Sequence, residues 1–554
     1  MGMATGISAQ RSLFSAEEPN GGLLDGVVSE HSLIAAAVSL GAPSVAGLSL
    51  AESRLADGVR PISQATIRSI RDRIRAGEDP LGDVFCQLRS PEVRRSQGAT
   101  YTPQAIVTAM VDWAVENGSP RRVVDPGVGS GRFLAQAGAR MPQAELVGIE
   151  IDPLAALLAR ANLAALGMAG RSRVLLADYR AAVLPPVDGR TLFIGNPPYV
   201  RHHGIGSQWK AWLVAEARKW GCSASQLAGL HVHFFLATLG KARQGDYGAF
   251  ITAAEWLDVN YGGLLRELLL SHLGGKRIVV IEPTAAPFPD AATTAAITYF
   301  EIGARPKRIR MKRVANLVDL GEQNGNCQVP RERLLAEKRW SHLTRPGKPR
   351  PEGFIELGEL CRVHRGQVTG ANKVWIAGPH SLGLPECVLF PTVTKARELL
   401  RAGDAIEDAS SLRRVIDLPS DLDVLDPAER KAVDRFLATA RSLGADKGYI
   451  AANRKAWWSV GLKAPAPILA TYMARRPPAF VHNRAMARHL NIAHGIYPRE
   501  PLSRTILDNL ASYLRESVDT SQGRTYAGGL TKFEPKEMER LLIPSLDLLA
   551  NGTF

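Results

Sequence analysis

Two short stretches of this 554-residue chain combine residue types that do chemistry together. The first is Asn196-Pro197-Pro198-Tyr199, which follows the apolar run TLFIG. The lone pair of an exocyclic ring amine is delocalised into its ring. Such a nitrogen is a poor nucleophile until acceptors draw on its hydrogens and favour a tetrahedral geometry. The Asn196 side-chain oxygen and the Pro197 carbonyl supply two acceptors, held rigid by the fixed φ of consecutive prolines. Tyr199 adds a π-face on which a planar target can stack. An Asx-Pro turn closing a strand is the competing reading of the same four residues.

The second stretch is Asp125-Pro126-Gly127-Val128-Gly129-Ser130-Gly131, after the apolar residues Val123 and Val124. Glycines serve where backbone must turn tightly and approach a ligand closely. Their spacing at every second residue lacks the GxGxxG of the dinucleotide fingerprint, although a structural turn or a dinucleotide site fits a lone glycine loop nearly as well. Three acids shift the balance. Asp125 stands at the strand end before the loop, Glu150 closes the next strand 19 residues after Gly131, and Asp178 ends RVLLAD with Tyr179 beside it. Each acid alone reads as a helix cap or a surface charge. Together they mark the ends of three successive strands, where open α/β sheets bind ligands. An anionic Asp125 suits a ligand carrying an ammonium and a sulfonium better than a pyrophosphate.

The elements that must position these residues alternate along the chain. RRVVDP, RFLAQAGARM, AELVGIEID, PLAALLARANLAALG, RVLLAD and TLFIGNPPY read strand, helix, strand, helix, strand, strand, and GAFITAAEWL, KRIVVIEP and TAAITYFEIG complete a mainly parallel, doubly wound α/β sheet. The expected organisation is a helical N-terminal extension over 1–90 and a catalytic domain over 91–312. A Pro- and charge-rich linker over 313–353 and a mixed α+β domain over 354–554 follow.

Taken in order, GATYTP (98–103), DPGVGSGRFL, GIEID, LLAD and NPPY resemble the gamma-class adenine-N6 DNA methyltransferases of the TaqI-like type II restriction-modification group. The resemblance continues through GAFITAAEWLDVNYGGLLRELLL, EPTAAPFPDAATTAAITYF, LGELCRVHRGQVTGANKVW and RTYAGGLTKFEPKEMERLLIP, and so covers about residues 95–545. It implies a class I, Rossmann-like methyltransferase domain followed by a target-recognition domain, with S-adenosylmethionine as cofactor. By this resemblance Tyr101, Thr102 and Pro103 lie near the methionine part of the cofactor and Asp125 near its amino group. Gly127, Gly129 and Gly131 cradle it, Glu150 meets the ribose with Ile151 also in the cofactor site, Asp178 meets the adenine with Tyr179 beside it, and Asn196 borders it. Asn196, Pro197, Pro198 and Tyr199 act on the target base, and Phe288 matches a second aromatic packing against a flipped base. Val128 departs from the Cys or Ala of many relatives, a swap that a loop working through its backbone tolerates.

Composition agrees with a DNA partner. The formal charge is +14, and residues 301–554 hold 40 Lys+Arg against 28 Asp+Glu. Residues 451–500 hold 8 basic residues against the single acid Glu500, with Trp457, Trp458, Tyr472, Phe480 and Tyr497 interleaved. A basic surface over core aromatics is the bland reading, and a nucleic-acid footprint is the sharp one. On the sharp reading Arg475, Arg476, Asn483, Arg484 and Arg488 are the candidate DNA contacts. With 45% hydrophobic residues the chain can bury cores throughout, which excludes a disordered protein. Five scattered cysteines without a CxxC pair exclude a disulfide framework or zinc ribbon, and His202-His203 and His231-x-His233 lack the partners of a metal site. No apolar run reaches the roughly 18 residues of a membrane span, and the N-terminus lacks the order of a signal peptide. The expectation is a monomeric cytoplasmic, nucleoid-associated prokaryotic enzyme working on double-stranded DNA, with any cognate restriction endonuclease a separate protein. Methylation of a protein glutamine or an RNA guanine by the same Asn-Pro-Pro-Tyr acceptors is the alternative.

Overall fold

The computed structural model describes residues 24, 26–90, 102–282, 285, 294–321, 327–344, 351–526 and 530–552. The chain divides into two compact units, Met1–Gly347 and Lys348–Phe554.

In the first unit the described residues form a nine-stranded sheet. Its strands are β1 (Arg122–Asp125), β2 (Glu145–Glu150), β3 (Ser172–Leu176), β4 (Thr191–Gly195), β5 (Tyr247–Ala253), β6 (Gly275–Ile281), β7 (Ala295–Glu301), β8 (Arg308–Val314) and β9 (Cys327–Pro330). They lie in the order β3-β2-β1-β4-β5-β7-β6-β8-β9. β1 to β5 run parallel, and β7 enters antiparallel between β5 and β6. The chain order reverses beside β1, whose neighbours are β2 and β4, so the loops after β1, β2, β3 and β4 open at one end of the sheet.

Eight of the helices of this unit surround the first four strands, and a further one, Leu230–Lys241, lines the cleft described below. The eight are α1 (Glu30–Ser39), α2 (Leu50–Ala56), α3 (Gln64–Arg75), α4 (Pro80–Leu88), α5 (Gln104–Asn117), α6 (Arg132–Arg140), α7 (Pro153–Ala165) and, after β4, α8 (Ser207–Lys219). α7 begins where Asp152 accepts the backbone N–H of Leu154 at 2.9 Å, with Pro153 in its first turn. Its sequence PLAALLARANLAA is apolar on every face, a pattern stable in water only if both sides are covered. Ala156, Ala159 and Leu163 pack on the sheet beside Leu146 and Val174. Leu154, Leu157, Leu158 and Ala161 pack instead on Leu33, Ile67, Ile70 and Leu81 of the N-terminal helices. The described part of residues 1–90 is therefore a layer of the catalytic unit rather than an extension from it.

That layer is pinned by a buried ion pair. Arg160 of α7 and Glu52 of α2 both have fully buried side chains, with Nε 2.6 Å from Oε1. The remaining guanidinium donors go to the carbonyls of Val45, Ala46, Gly47 and Val174 at 2.7–2.9 Å. Removing one partner leaves an uncompensated buried charge, which costs about 3–5 kcal/mol. Glu52→Ala is expected to lower the urea midpoint of the unit accordingly. A midpoint unchanged from wild type would contradict this role.

The expected linker over 313–353 is corrected in its first part. β8 ends at Val314 and pairs parallel with β6, and β9 pairs antiparallel with β8. Trp340 is buried, donates from Nε1 to the Leu334 carbonyl at 3.0 Å and lies 6.4 Å from the Trp256 ring. A stretch read as punctuation by its charges is held in the fold by strand pairing and by buried Val329, Leu334, Trp340 and Leu343.

In the second unit a five-stranded sheet takes, in spatial order, Cys361–Arg365, Ala493–Pro498, Ile468–Thr471, Phe480–Asn483 and Ala405–Ile406. The helix Arg504–Ser517 buries Leu507, Leu510, Ala511 and Leu514 in the same core as Ile468, Phe480 and Ile496. Smaller sheets, including Arg414–Ile416, Leu389–Val393 and Arg488–His489, complete a mixed α+β unit. No helix among the described residues is long and apolar enough to cross a membrane.

Candidate active site

Parallel pairing sets Val123 and Val124 of β1 beside Leu192 and Phe193 of β4, so the residues that follow on the two strands emerge side by side. Gly195 makes this possible. A Cβ there would lie 2.4 Å from Asp125 Oδ1, a distance no side chain can occupy. The acid at the end of β1 and the asparagine after β4 are thus packed neighbours, and the glycine before Asn196 is the sequence signal that reasoning from the tetrapeptide alone missed.

Between β1 and α6 the loop turns through Gly129 at φ 53°, left-handed backbone that favours glycine. Among the described residues no other atom lies within 4 Å of where a Cβ of Gly129 would sit, apart from its chain neighbours, so they leave that face of the loop open. Glu150 at the end of β2 holds the loop. Its Oε2 accepts from Gly129 N at 2.9 Å, and its Oε1 accepts from Ile151 N at 2.8 Å and Asp152 N at 3.1 Å. Gly131 precedes α6 as its cap, packed against Ala159 of α7. Val128 lies over Gly148 of β2, where any side chain would crowd it.

These loops enclose a cleft. Its walls include Thr102, Gly127, Gly129, Glu150, Ile151, Asp178, Tyr179, Asn196 and Pro198, so nine of the residues singled out from the sequence meet there. Pro103 caps α5 just after Thr102. Asp125 lies beneath the surface that Pro126 and Gly127 form, with its side chain buried. Oδ1 accepts from Gly127 N at 3.2 Å, and Oδ2 has no hydrogen-bond partner among the described residues. Burial pushes the carboxyl up to about 8; the Gly127 bond opposes this and the charge of Glu150 adds to it. Glu150 is raised by burial as well, against its three backbone donors.

Asp178 behaves oppositely. Burial would raise it, but hydrogen bonds from the Arg180 side chain and backbone, with the Arg180 charge, take it below the ordinary carboxylate range. Arg180 was not foreseen. It donates from Nε to Asp178 Oδ1 at 2.9 Å and from Nη2 to Oδ2 at 2.6 Å, and its guanidinium lies 3.8 Å over the Trp209 ring of α8. A basic residue two places after the strand-end acid was its only trace in the sequence. The Tyr179 expectation is corrected in part. The residue borders the cleft, but its ring is buried and its hydroxyl is shared with Thr238 Oγ1 at 2.8 Å, so it serves chiefly as packing.

Asn196 donates from Nδ2 to Thr102 Oγ1 at 3.1 Å, which fixes the plane of its amide. Pro197 is buried, Pro198 stands over Gly127, and Tyr199 is half-buried against the apolar cluster around β1 and β4. Tyr101 and Phe288 lie outside the described residues.

The DNA candidates separate. Asn483 is corrected outright. It is buried at the end of its strand, donating to the Ala466 and Ala487 carbonyls at 2.9 and 2.7 Å and accepting from Ala487 N at 2.9 Å, so its amide closes a turn. Arg484 pairs with Glu407 and with Asp508 at 2.8 Å. Arg488 donates to the Leu462 and Lys463 carbonyls and lies 4.1 Å over the Phe390 ring. Both are committed within their unit; Arg475 and Arg476 lie on its exposed surface. The interleaved aromatics are core: Phe480 and Tyr472 are buried, and Trp457 and Trp458 pack on an apolar cluster.

A ligand suited to this cleft carries a cation for the orphaned Asp125 oxygen, a part slim enough to lie on the open Gly129 backbone, and an apolar face for Ile151, which is 58% exposed. S-adenosylmethionine has all three. Family comparisons point the same way. The Type II methyltransferase M.Eco57I C-terminal domain matches residues 348–553, the N-6 DNA Methylase family residues 77–220, and the Eco57I restriction-modification methylase family residues 191–285. Over 504 residues the chain is 54% identical to Type II methyltransferase M.XamI of Xanthomonas campestris pv. amaranthicola, covering 91% of this chain and 95% of that protein. Type II methyltransferase M.AccI of Acinetobacter calcoaceticus is 23% identical over 84% of this chain and 88% of its own. The solved structure of the Type IIL restriction-modification enzyme MmeI in complex with DNA aligns over 83% of this chain and 71% of its own, with a TM-score of 0.49 and 15% identity. Matches to release factor glutamine methyltransferases span 87 to 151 residues and at most 26% of this chain. Identity at that level along nearly the whole of both chains, with the cleft and its Asn-Pro-Pro-Tyr rim in place, makes this chain a member of the type II adenine-N6 DNA methyltransferases, S-adenosylmethionine-dependent enzymes of restriction-modification.

Proposed function

We propose that the chain methylates N6 of an adenine flipped out of duplex DNA within one short recognition sequence, as the modification half of a restriction-modification system. The observation that carries this reading is the placement of Asn196 on the rim of the cleft, its amide plane fixed by Thr102, with the strand-end acids Glu150 and Asp178 in the same walls and Asp125 buried behind Gly195. S-adenosylmethionine supplies a methyl group activated on sulfur. The protein supplies position. Asp125 would face the ammonium, Glu150 the ribose hydroxyls, and Asp178 the adenine amine with Ile151 against the ring. Glu150 and Asp178 each keep acceptor capacity beyond their internal bonds, since a carboxylate offers about four lone-pair sites.

On the target side, Asn196 and the Pro197 carbonyl accept the two hydrogens of the amine, so its lone pair turns toward the methyl carbon. The nitrogen would take the methyl group that S-adenosylmethionine supplies, the electron pair of the broken carbon–sulfur bond staying on sulfur as a neutral thioether and the surplus proton passing from nitrogen to water. Tyr199, with Phe288, offsets by stacking part of the few kcal/mol that base flipping costs. The second unit meets the duplex, with Arg475 and Arg476 on phosphates. One chain holds both functions, which supports action as a monomer with any cognate endonuclease a separate protein.

Expression in a host free of adenine methylation, followed by single-molecule sequencing of its genome, tests the reading. One short motif is expected to carry methyladenine at nearly every occurrence. An unmodified genome, with purified protein that still binds S-adenosylmethionine, would move the reading to glutamine or RNA amines.

A further inference from the structure

We infer that Asp79, in the N-terminal helical layer, is a positioning residue for the cofactor loop, an inference that rests on the function proposed above. Asp79 is the N-cap of α4, and its Oδ1 accepts from Gly82 N at 3.0 Å. A cap needs no more than that. Yet the same carboxylate takes three further donors from across the fold: Asn162 Nδ2 of α7 at 3.0 Å, Arg132 Nε of α6 at 2.7 Å, and the Ser130 hydroxyl of the glycine loop. Four donors fill the acceptor sites of a carboxylate, so Asp79 is saturated by contacts to the far side.

Those contacts converge on the cofactor loop and the residues bordering it. Ser130 and Arg132 both line the cleft, and Asn162 also donates to the Ser130 carbonyl at 2.8 Å. Asp79 thereby holds the outer side of the loop whose inner side Glu150 holds through Gly129. Arg132 carries the connection onward, donating from Nη1 to the Thr102 carbonyl at 3.2 Å, while Thr102 Oγ1 accepts from Asn196. The Asp79 side chain is only 8% exposed and Arg132 19%, so their charge-assisted bond works largely out of water. One helical turn and a half further on, Phe85 lines the cleft itself. The sequence Asp79-Pro80-Leu81-Gly82 thus starts a helix and braces a loop about fifty residues away with the same side chain.

Releasing the outer brace lets the loop sample shapes that do not fit the cofactor, so the loss falls on cofactor affinity rather than on the chemical step at saturation. In the purified full-length protein, Asp79→Ala is expected to raise both the calorimetric Kd for S-adenosylhomocysteine and the KM for S-adenosylmethionine by about tenfold or more. At saturating cofactor kcat is expected to stay within about threefold of wild type. Asp79→Asn, which keeps one acceptor oxygen, should fall between. Ser63→Ala is the control. Ser63 caps α3 by accepting Thr66 N at 3.1 Å and has no contact with the loop, so its loss destabilises a helix without moving KM. Should Asp79→Ala fail to fold, Ser130→Ala removes the loop's hydroxyl donor alone and is expected to raise Kd in the same direction. An unchanged Kd in the folded Asp79 variants, or an equal rise in Ser63→Ala, would overturn the positioning role. A wild-type protein that does not bind S-adenosylhomocysteine would instead overturn the function on which it rests.

Discussion

Asn196→Ala is expected to lower kcat by about 10³-fold or more while leaving the Kd for S-adenosylmethionine within a few-fold of wild type. The asymmetry follows from where the amide sits. Asn196 borders the cofactor cleft, but the walls that hold a ligand there belong to Glu150, Asp178, Ile151 and the glycine loop. What its oxygen offers a ring amine matters only as the nitrogen becomes tetrahedral, so its removal falls on the transition state. The fixed plane of the amide sharpens the expectation. Thr102 Oγ1 holds Nδ2 at 3.1 Å, and Thr102→Val keeps the shape but removes that acceptor. It should cost about tenfold in kcat, well short of the alanine variant at Asn196, because the amide is still present and only its orientation is loosened. Single-turnover methylation of a duplex carrying the recognition sequence, with calorimetry of the cofactor, separates the two effects. An Asn196→Ala enzyme with wild-type turnover would remove the acceptor mechanism. Equal collapse of binding and turnover would make Asn196 a cofactor residue instead.

The parts of the site legible in the sequence are those whose position follows from local pattern. Strand-end acids and the tetrapeptide sit where apolar runs end, and in a parallel sheet those ends share one edge, so Glu150, Asp178 and Asn196 fell together as read. Contacts between distant segments carry no such local signal. Asp79 meets Ser130 across 51 residues and Glu52 meets Arg160 across 108, and nothing near Asp79 or Glu52 names its partner. A trace did exist in α7, whose apolar character on all sides demanded a second covering layer, but not in which segment supplied it.

Charge was legible and its direction was not. The basic run 451–500 is real, yet it folds into three strands of a five-stranded sheet and a strand of a smaller one that starts at Arg488; Asn483 turns inward, and Arg484 and Arg488 are committed to carboxylates and carbonyls. An Asn among arginines resembles a base reader in one dimension. In three it closes a turn. In its first part the linker reading erred for the same reason: prolines and charges on either side of Trp340 outweighed, in composition, the buried rings and aliphatic side chains that pack that stretch, while the boundary between the units does fall within it.

The cofactor affinity of the free enzyme is expected to strengthen as pH rises from about 6 to about 8, and Asp125→Asn is expected to erase that dependence. The buried Asp125 carboxyl titrates near 8 in the absence of ligand. Below that pH it is mostly protonated, so binding a ligand ammonium must first expel a proton, and the apparent Kd should fall about tenfold per pH unit until the carboxyl ionises on its own. At pH 8 the variant should bind about 30-fold more weakly or worse, as expected when one partner of a buried charge pair is removed. Toward pH 6 the two proteins should converge, because the wild-type residue is then neutral too. The same group makes an opposite demand on folding. Its pKa is raised above the unfolded value of 3.8, so the native state holds a proton that the unfolded chain has lost. The stability of the free enzyme must therefore fall as pH climbs from about 4 toward 8, and the asparagine variant should lose the Asp125 share of that slope along with its affinity, while buried Glu150, also raised, keeps its own. Calorimetric titrations with S-adenosylhomocysteine, paired with urea unfolding across the same range, measure both sides. Affinity flat between pH 6 and 8 in wild type would place the ammonium away from Asp125. Slopes that both flatten in Asp125→Asn would identify this carboxylate as a group held at a cost to the fold for the sake of a cationic ligand.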